Sequence, residues 1–278
     1  MREGNEDRYL AREEQGLTLL AVADGVGGSS GGEIAADAAL VELEARFFGA
    51  PADRPTSDSL AEAMRDANAA VLRAADSSGH RDAATTIVAA AVRGNEAIIG
   101  NLGDSRAYLI RDGICRQLTE DHSGAMEHAI TRFAGDPRGI QPDIYVETLR
   151  AEDRLLLCSD GLTRHVTPEE IASTAGGEDV HVAAGALVDL ANARGGEDNI
   201  TVVLHAPGQP AALARTAGRA AAFVVFALLI LVTVGGAVAV LFAVSSAPPP
   251  AATPSASATP TPTATPSPTP EPSPTASP

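Results

Sequence analysis

Four times in this sequence an aspartate stands at the edge of an apolar run with Gly, Ser or Asn next to it. These are Ala21-Val22-Ala23-Asp24-Gly25, Ile99-Gly100-Asn101-Leu102-Gly103-Asp104-Ser105, Leu156-Leu157-Cys158-Ser159-Asp160-Gly161 and Gly195-Gly196-Glu197-Asp198-Asn199. Asn5-Glu6-Asp7 adds two more acids near the start. Any one such aspartate is most simply a turn residue, because Asp caps tight bends. Asp112-Gly113, between Tyr108-Leu-Ile-Arg and Ile114-Cys-Arg-Gln-Leu, is such a case and predicts a hairpin. The repeat of one arrangement says more: strand exits in a layered sheet can converge on one cleft and build an acidic pocket. Carboxylates that close raise one another's pKa unless cations neutralise them. All-oxygen ligands suit Mg²⁺ or Mn²⁺. Two such ions roughly 3.5 to 4 Å apart can hold a water between them, lower its pKa and clamp a phosphoryl oxygen. The chemistry would be hydrolysis with no covalent enzyme intermediate. Gly25 beside Asp24 fits that scheme, since a bare backbone lets a main-chain carbonyl approach an ion.

The composition removes competing chemistries. The 278 residues carry 36 acids against 20 basic residues, a formal charge of −16, and every basic residue is arginine. Without lysine there is no P-loop, no protein-kinase strand lysine and no Schiff base, so no nucleotide partner is expected. Arginines scattered singly exclude a nucleic-acid surface built on phosphate neutralisation. Cys115 and Cys158 have no ligand or redox spacing and read as small core residues. His80, His122, His128, His165, His181 and His205 show no ligand spacing either and read as loop or surface residues.

The elements that must position the carboxylates follow from apolar periodicity. Strands are predicted at 17–22, 85–92, 96–100, 107–110, 144–149, 154–158 and 200–205. Helices are predicted at 33–48, 58–75, 168–175 and 180–193. The third opens on Thr167 as N-cap, with Pro168 at the first helical position and Glu170 completing a capping box. Strands in direct succession, with helices grouped around them, favour α+β with antiparallel sheets over an alternating parallel order.

Residues 1–206 form the expected folded domain, and 207–219 read as a juxtamembrane linker. Residues 220–244 are 25 in a row without a charge. As a helix they would run roughly 37 Å, enough to cross a hydrocarbon core of about 30 Å. Arg215 and Arg219 precede this stretch and no basic residue follows it, so the positive-inside rule puts residues 1–219 in the cytoplasm of a single-pass protein in the cell membrane. The tail, 245–278, holds 12 of the 19 prolines and reads as an extended, disordered stalk outside the cell.

Six ordered motifs carry a resemblance that covers residues 2–206. Arg2-x-x-Asn5-Glu6-Asp7, Asp24-Gly-Val-Gly-Gly followed by Gly32-Glu33, Thr85-Thr86 with Gly103-Asp104-Ser-Arg-Ala-Tyr-Leu, Leu118-Thr-x-Asp121-His122-Ser123, Ser159-Asp160-Gly161-Leu162 and Asp198-Asn199-Ile-Thr-Val-Val resemble the metal-dependent protein phosphatases of type 2C, in particular the bacterial serine/threonine branch. The resemblance implies a four-layer α-β-β-α sandwich of two antiparallel sheets, here with one C-terminal transmembrane helix. It implies two Mn²⁺ or Mg²⁺ ions per domain and a third, weaker site. By motif match, Asp24 would bridge both ions, Gly25 would offer its carbonyl, and Asp160 and Asp198 would ligate one ion. Glu6 and Asp7 would hold coordinated waters, Asp104 would support the third ion, and Arg2 would grip the substrate phosphate. The expected activity is hydrolysis of phosphoserine and phosphothreonine on proteins, opposing a membrane-bound Ser/Thr kinase. The alternative is a catalytically weak pseudophosphatase serving as a membrane signalling scaffold. Two departures from the family pattern bear on these readings: Arg2 directly follows Met1, and the stretch between His122 and Ile130 is much shorter than the usual flap beside the site.

Overall fold

Strands buried on both faces need partners on both sides, and each of two sheets builds its centre from three such strands. β2 (Leu17–Ala23), β5 (Ile87–Arg93) and β6 (Glu96–Leu102) are buried along almost their whole length. They form the centre of a first sheet whose order is β1-β2-β5-β6-β9, with β1 at Arg8–Glu14 and β9 at Asp143–Thr148 on the edges. β7 (Arg106–Arg111), β10 (Arg154–Cys158) and β11 (Thr201–His205) are the centre of the second, ordered β12-β11-β10-β7-β8, with β8 at Ile114–Gln117 and β12 at Ala212–Arg215. Every pairing is antiparallel, including that of the two short strands β3 (Gly25–Val26) and β4 (Ala84–Thr85). The computed structural model describes residues 4–26, 31–49, 56–124, 130–177, 179–209 and 211–216.

Side-chain alternation then sets the layers. Leu20, Val22, Val88, Ala90 and Ile99 from the first sheet meet Ala107, Leu109, Leu155, Leu157 and Val203 from the second in one buried cluster. The opposite face of the first sheet, with Leu19, Ala21, Ile87 and Ala89, is covered by α1 (Gly31–Gly49) and α2 (Ser57–Ser78). The opposite face of the second, with Leu156, Cys158, Val202 and Leu204, is covered by α4 (Pro168–Ala175) and α5 (Val180–Ala193). The layers therefore run helices, sheet, sheet, helices, as expected. Many core positions are alanine, so helices and sheets approach closely. Met64 and Leu60 of α2 lie where a side chain on Gly100 would have to go, at 2.4 and 3.2 Å.

Predicted elements recur with small shifts at their ends, and the capping box at Thr167 and Glu170 is present. The 108–117 hairpin turns at Asp112, whose φ of 53° lies in the left-handed region, and Gly113. Three corrections stand out. β1 and β12 were not foreseen. β1 is an edge strand whose sequence, Arg-Tyr-Leu-Ala-Arg-Glu-Glu, has no apolar alternation and whose residues are half-buried or exposed. β12 falls inside the segment read as linker: Thr201 to Leu204 pair with Arg215 to Ala212, so the second sheet continues past residue 206. The histidines divide as well. His122 and His205 are buried, His205 because it closes β11 in the middle of the sheet and His122 because its ring is a hydrogen-bonded wedge.

The apolar stretch 220–244, the tail 245–278 and Arg2 lie outside the described residues. Among the described residues no helix is long and apolar enough to cross a membrane.

Candidate metal centre

The strand registers carry the carboxylates to one end of the sandwich. Arg8 pairs with Ala23, so Asp7 ahead of β1 and Asp24 behind β2 stand side by side. Ile87 pairs with Leu102, which brings Thr86 and Gly103-Asp104 to the same end of the first sheet. In the second sheet Cys158 pairs with both Arg106 and Val202, so Asp104 ahead of β7, Asp160 behind β10 and Asp198 ahead of β11 emerge together. The charges of Asp7, Asp104, Asp160 and Asp198 are all felt at Asp24.

Hydroxyls and amides stitch the two sheets at this end. Ser159 donates from Oγ to Asp7 Oδ2 at 2.8 Å, joining the exit of β10 to the entry of β1, and accepts from the Thr201 amide at 3.0 Å. The Glu6 amide donates to Asn199 Oδ1 at 2.9 Å, and Asn199 returns a bond from Nδ2 to the Gly4 carbonyl at 3.2 Å. Asn5 Nδ2 donates to the Thr216 carbonyl at 2.7 Å. On the other side the Asp24 amide donates to Thr86 Oγ1 at 3.0 Å, and Thr86 Oγ1 lies 2.7 Å from Ser105 Oγ. Backbone approach is equally tight. The first side-chain carbon of any residue replacing Gly25 would stand 2.4 Å from the Gly32 carbonyl, and at Gly161 it would stand 2.0 Å from the Asn199 carbonyl oxygen. Glycine is needed at both because the nearest atoms are backbone, which cannot swing aside.

The loop that carries Asp104 is held by His122. The Gly103 amide donates to His122 Nδ1 at 3.0 Å, which leaves Nε2 as the donor to Asp143 Oδ2 at 2.9 Å. Arg132 holds the same Asp143 carboxylate at 2.8 and 3.1 Å.

Electrostatics distinguishes this end from the rest of the molecule. Burial pushes Asp7 up to about 6, against the hydroxyls of Thr201 and Ser159 and with the charges of Asp198 and Asp160 adding to it. Burial and the Asp160 charge also bring Asp104 to about 6. Asp24 rises well above the usual carboxylate range, through desolvation first and then through Asp7, Asp160, Asp198 and Asp104. One oxygen each of Asp7, Asp104 and Asp160 is buried without a hydrogen-bond partner. A buried, unpartnered carboxylate oxygen is costly, and three at one site fit a hard cation as the missing partner. Among the described residues no three acidic or imidazole side chains already converge at ligand spacing. A cation sits there already: Arg164, just past the short helix α3 (Asp160–Thr163), donates from Nε to Asp160 Oδ2 at 3.0 Å, with Nη2 on the same oxygen. Its Nη1 lies 3.6 Å from Asp198 Oδ2. Burial works against the Arg164 charge, but Asp160, Asp198 and Asp24 more than offset it and raise its pKa.

Asp7, Asp24, Asp104, Asp160 and Asp198 are thus brought to one end of the fold, with Glu6 and Gly25 in the adjoining backbone. Sequence reasoning gave no role to Ser159, Asn199 or Arg164. The Ser and Asn sit inside quoted motifs as neighbours of acids. Arg164 could have been noticed as the fourth residue after Asp160, the spacing at which helical ion pairs form.

A double sheet with this acidic end makes a sandwich suited to hold hard cations, and comparison makes the class specific. Residues 2–187 match the family model described as Protein phosphatase 2C, and the chain belongs to that family. It is 34% identical over 229 residues to the serine/threonine protein phosphatase PstP of Mycobacterium tuberculosis, covering 73% of this chain but 42% of that relative, so it spans under half of PstP's length. It is 31% identical over 228 residues to the serine/threonine phosphatase stp of Listeria monocytogenes, covering 73% of this chain and 90% of that one. Among solved structures, the catalytic domain of PstP in complex with two manganese ions superposes with a TM-score of 0.66 at 32% identity, covering 77% of this chain and 93% of that one.

Proposed function

We propose that this protein hydrolyses phosphoserine and phosphothreonine on proteins with two Mn²⁺ or Mg²⁺ ions, and that it opposes a Ser/Thr kinase at the cytoplasmic face of the cell membrane. The observation that carries the reading is the set of buried, unpartnered oxygens on Asp7, Asp104 and Asp160 at the end of the sandwich that also gathers Asp24 and Asp198. Asp24, the Gly25 carbonyl, Asp160 and Asp198 would hold the ions, with Glu6 and Asp7 acting through waters and Asp104 serving a third, weaker site. Bound there, divalent ions supply neutralisation of the cluster and activation of water toward the phosphoester. The chain's own contribution is positional. Ser159 fixes Asp7 across the two sheets, the Thr85 hydroxyl and Thr86 amide hold the Asp24 carbonyl at 3.0 and 2.9 Å, and His122 holds the loop of Asp104. Arg2 would receive the phosphate, as a planar guanidinium suits its oxygens. Beyond Gly25, a cleft of about 400 Å³ between Val26, Arg81, Ile130 and Phe133 gives room for the substrate chain.

The uncharged stretch 220–244, with Arg215 and Arg219 ahead of it, supports a single membrane span with the catalytic unit inside and the Pro-rich tail outside. The test is release of phosphate from a phosphothreonine peptide by the full-length chain. Turnover should require Mn²⁺ or Mg²⁺, and turnover that survives EDTA would refute the metal reading. Binding of the phosphopeptide with no turnover at saturating Mn²⁺ would favour the scaffold alternative.

A further inference from the structure

Within the acidic cluster one side chain is out of keeping with its neighbours. Arg164 places two nitrogens on Asp160 Oδ2 and a third 3.6 Å from Asp198 Oδ2, so its guanidinium spans the two carboxylates that would share an ion. Its side chain is 30% exposed while those of Asp160 and Asp198 are 15% and 7% exposed, so it reaches into the cluster from the solvent side. The other oxygen of Asp160 is buried and without a partner. Asp160 therefore already divides its two oxygens between a cation of the chain's own and an open coordination direction.

We propose that Arg164 is a resident counter-cation that competes with metal for Asp160 and Asp198 and so sets the affinity of the ion those two residues share. The proposal rests on the reading of Asp160 and Asp198 as ligands of one ion. Two opposing effects decide its sign. An outer group that merely orients a ligand raises metal affinity, and losing it weakens binding about 10- to 100-fold. A full positive charge placed on the ligand oxygens themselves repels a divalent cation and occupies their lone pairs. Orientation does not depend on Arg164 alone, because Asp160 is fixed by α3 and by the close packing of Gly161 on Asn199. Competition should dominate. In the metal-free protein the same guanidinium offsets the mutual repulsion of buried carboxylates, so the residue that stabilises the empty fold weakens its loading.

The two consequences have opposite signs, which separates this role from a structural one. Isothermal titration of the full-length chain with MnCl2 should show Arg164→Ala binding Mn²⁺ about tenfold more tightly than the unaltered chain. In EDTA the same variant should melt several degrees lower. Arg164→Lys keeps the charge but cannot span two carboxylates, and should fall between the two. Arg164→Gln keeps a donor without the charge and stands in should the alanine variant fail to fold; it too should bind more tightly. Manganese affinity that is unchanged or weaker in the uncharged variants would overturn the proposal while leaving the phosphatase reading intact. An unaltered chain that takes up no Mn²⁺ would overturn both.

Discussion

The carboxylates of this protein form two populations that differ in what faces them. Away from the acidic end, several acids have arginine partners. Asp153 takes Arg111 at 2.8 Å together with the Arg150 amide at 2.7 Å, Asp136 takes Arg138 at 2.7 Å, Asp143 takes Arg132 and His122, and Glu170 takes Arg194. Asp136 and Asp143 fall below the usual range chiefly through their arginine hydrogen bonds, and Glu170 falls to about 2 for the same reason. At the acidic end Asp7, Asp24 and Asp104 rise instead, through burial and mutual repulsion. Among the described residues, a chain of net charge −16 thus sets most of its paired arginines on structural acids, and Arg164 is the arginine that reaches the converging ones. Poor pairing at one end is what reserves it for a ligand.

The contrast breaks most severely at the cluster itself. Asp24→Ala or Asp160→Ala should lower turnover of a phosphothreonine peptide by at least about 10³-fold with the circular dichroism spectrum retained. Retained activity in the folded variants would place the chemistry elsewhere.

Next in size is Asp153→Ala. Asp153 is 1% exposed and its removal leaves the Arg111 guanidinium and the Arg150 amide without their acceptor. A drop in Tm of about 5 °C is expected by calorimetry, with metal affinity unchanged.

The third concerns pH and runs in opposite directions for the two populations. A group whose folded pKa is raised favours the folded state at low pH, where it holds its proton, and loses that contribution as pH climbs through the window between its two values. For Asp7 and Asp104 that window runs from about 4, the unfolded value, to about 6. Glu170, Asp136 and Asp143 contribute above their unfolded values and lose their effect only as pH falls toward their lowered ones. In EDTA at pH 7, Asp104→Asn should therefore melt higher than the unaltered chain, and the difference should vanish near pH 4. A lower melting temperature at pH 7 would show that Asp104 is well paired.

Smallest is Arg194→Ala. Its exposed pair with Glu170 should shift Tm by about 1 °C or less, because solvent and salt screen it.

Much of this architecture can be read from the residues, and the exceptions share a cause. Buried strands such as 154–158 and 200–205 announce themselves because both faces are apolar. β1 and β12 lie at sheet edges, each with one neighbour, and their sequences need not be apolar on both faces. Asp24, Asp104 and Asp160 were legible as strand exits, since Asp beside Gly or Ser is a local signal, whereas Asp198, expected at another strand exit, follows α5 and stands ahead of β11. Their convergence depends on which strands pair, and that is set by contacts far apart in the chain, such as Ser159 with Asp7. Arg164 was missed because its meaning depends on Asp198, which lies far along the chain and approaches only once α3 has turned the guanidinium back. His122 was misread because its lack of ligand spacing concealed a positioning role, holding the Gly103 amide on one ring nitrogen and Asp143 on the other.

The bond from Asn5 to Thr216 has a practical corollary for anyone who wishes to handle the catalytic unit apart from its hydrophobic segment. Cutting after residue 206 would strip the outermost ribbon from the second sheet, expose the flank of Thr201 to Leu204 to self-association, and remove one of the tethers on the segment leading into Glu6 and Asp7, leaving those from Asn199 and Ser159. A soluble fragment meant to retain the acidic end should close no earlier than Thr216, whose amide and hydroxyl are both engaged with Ile200.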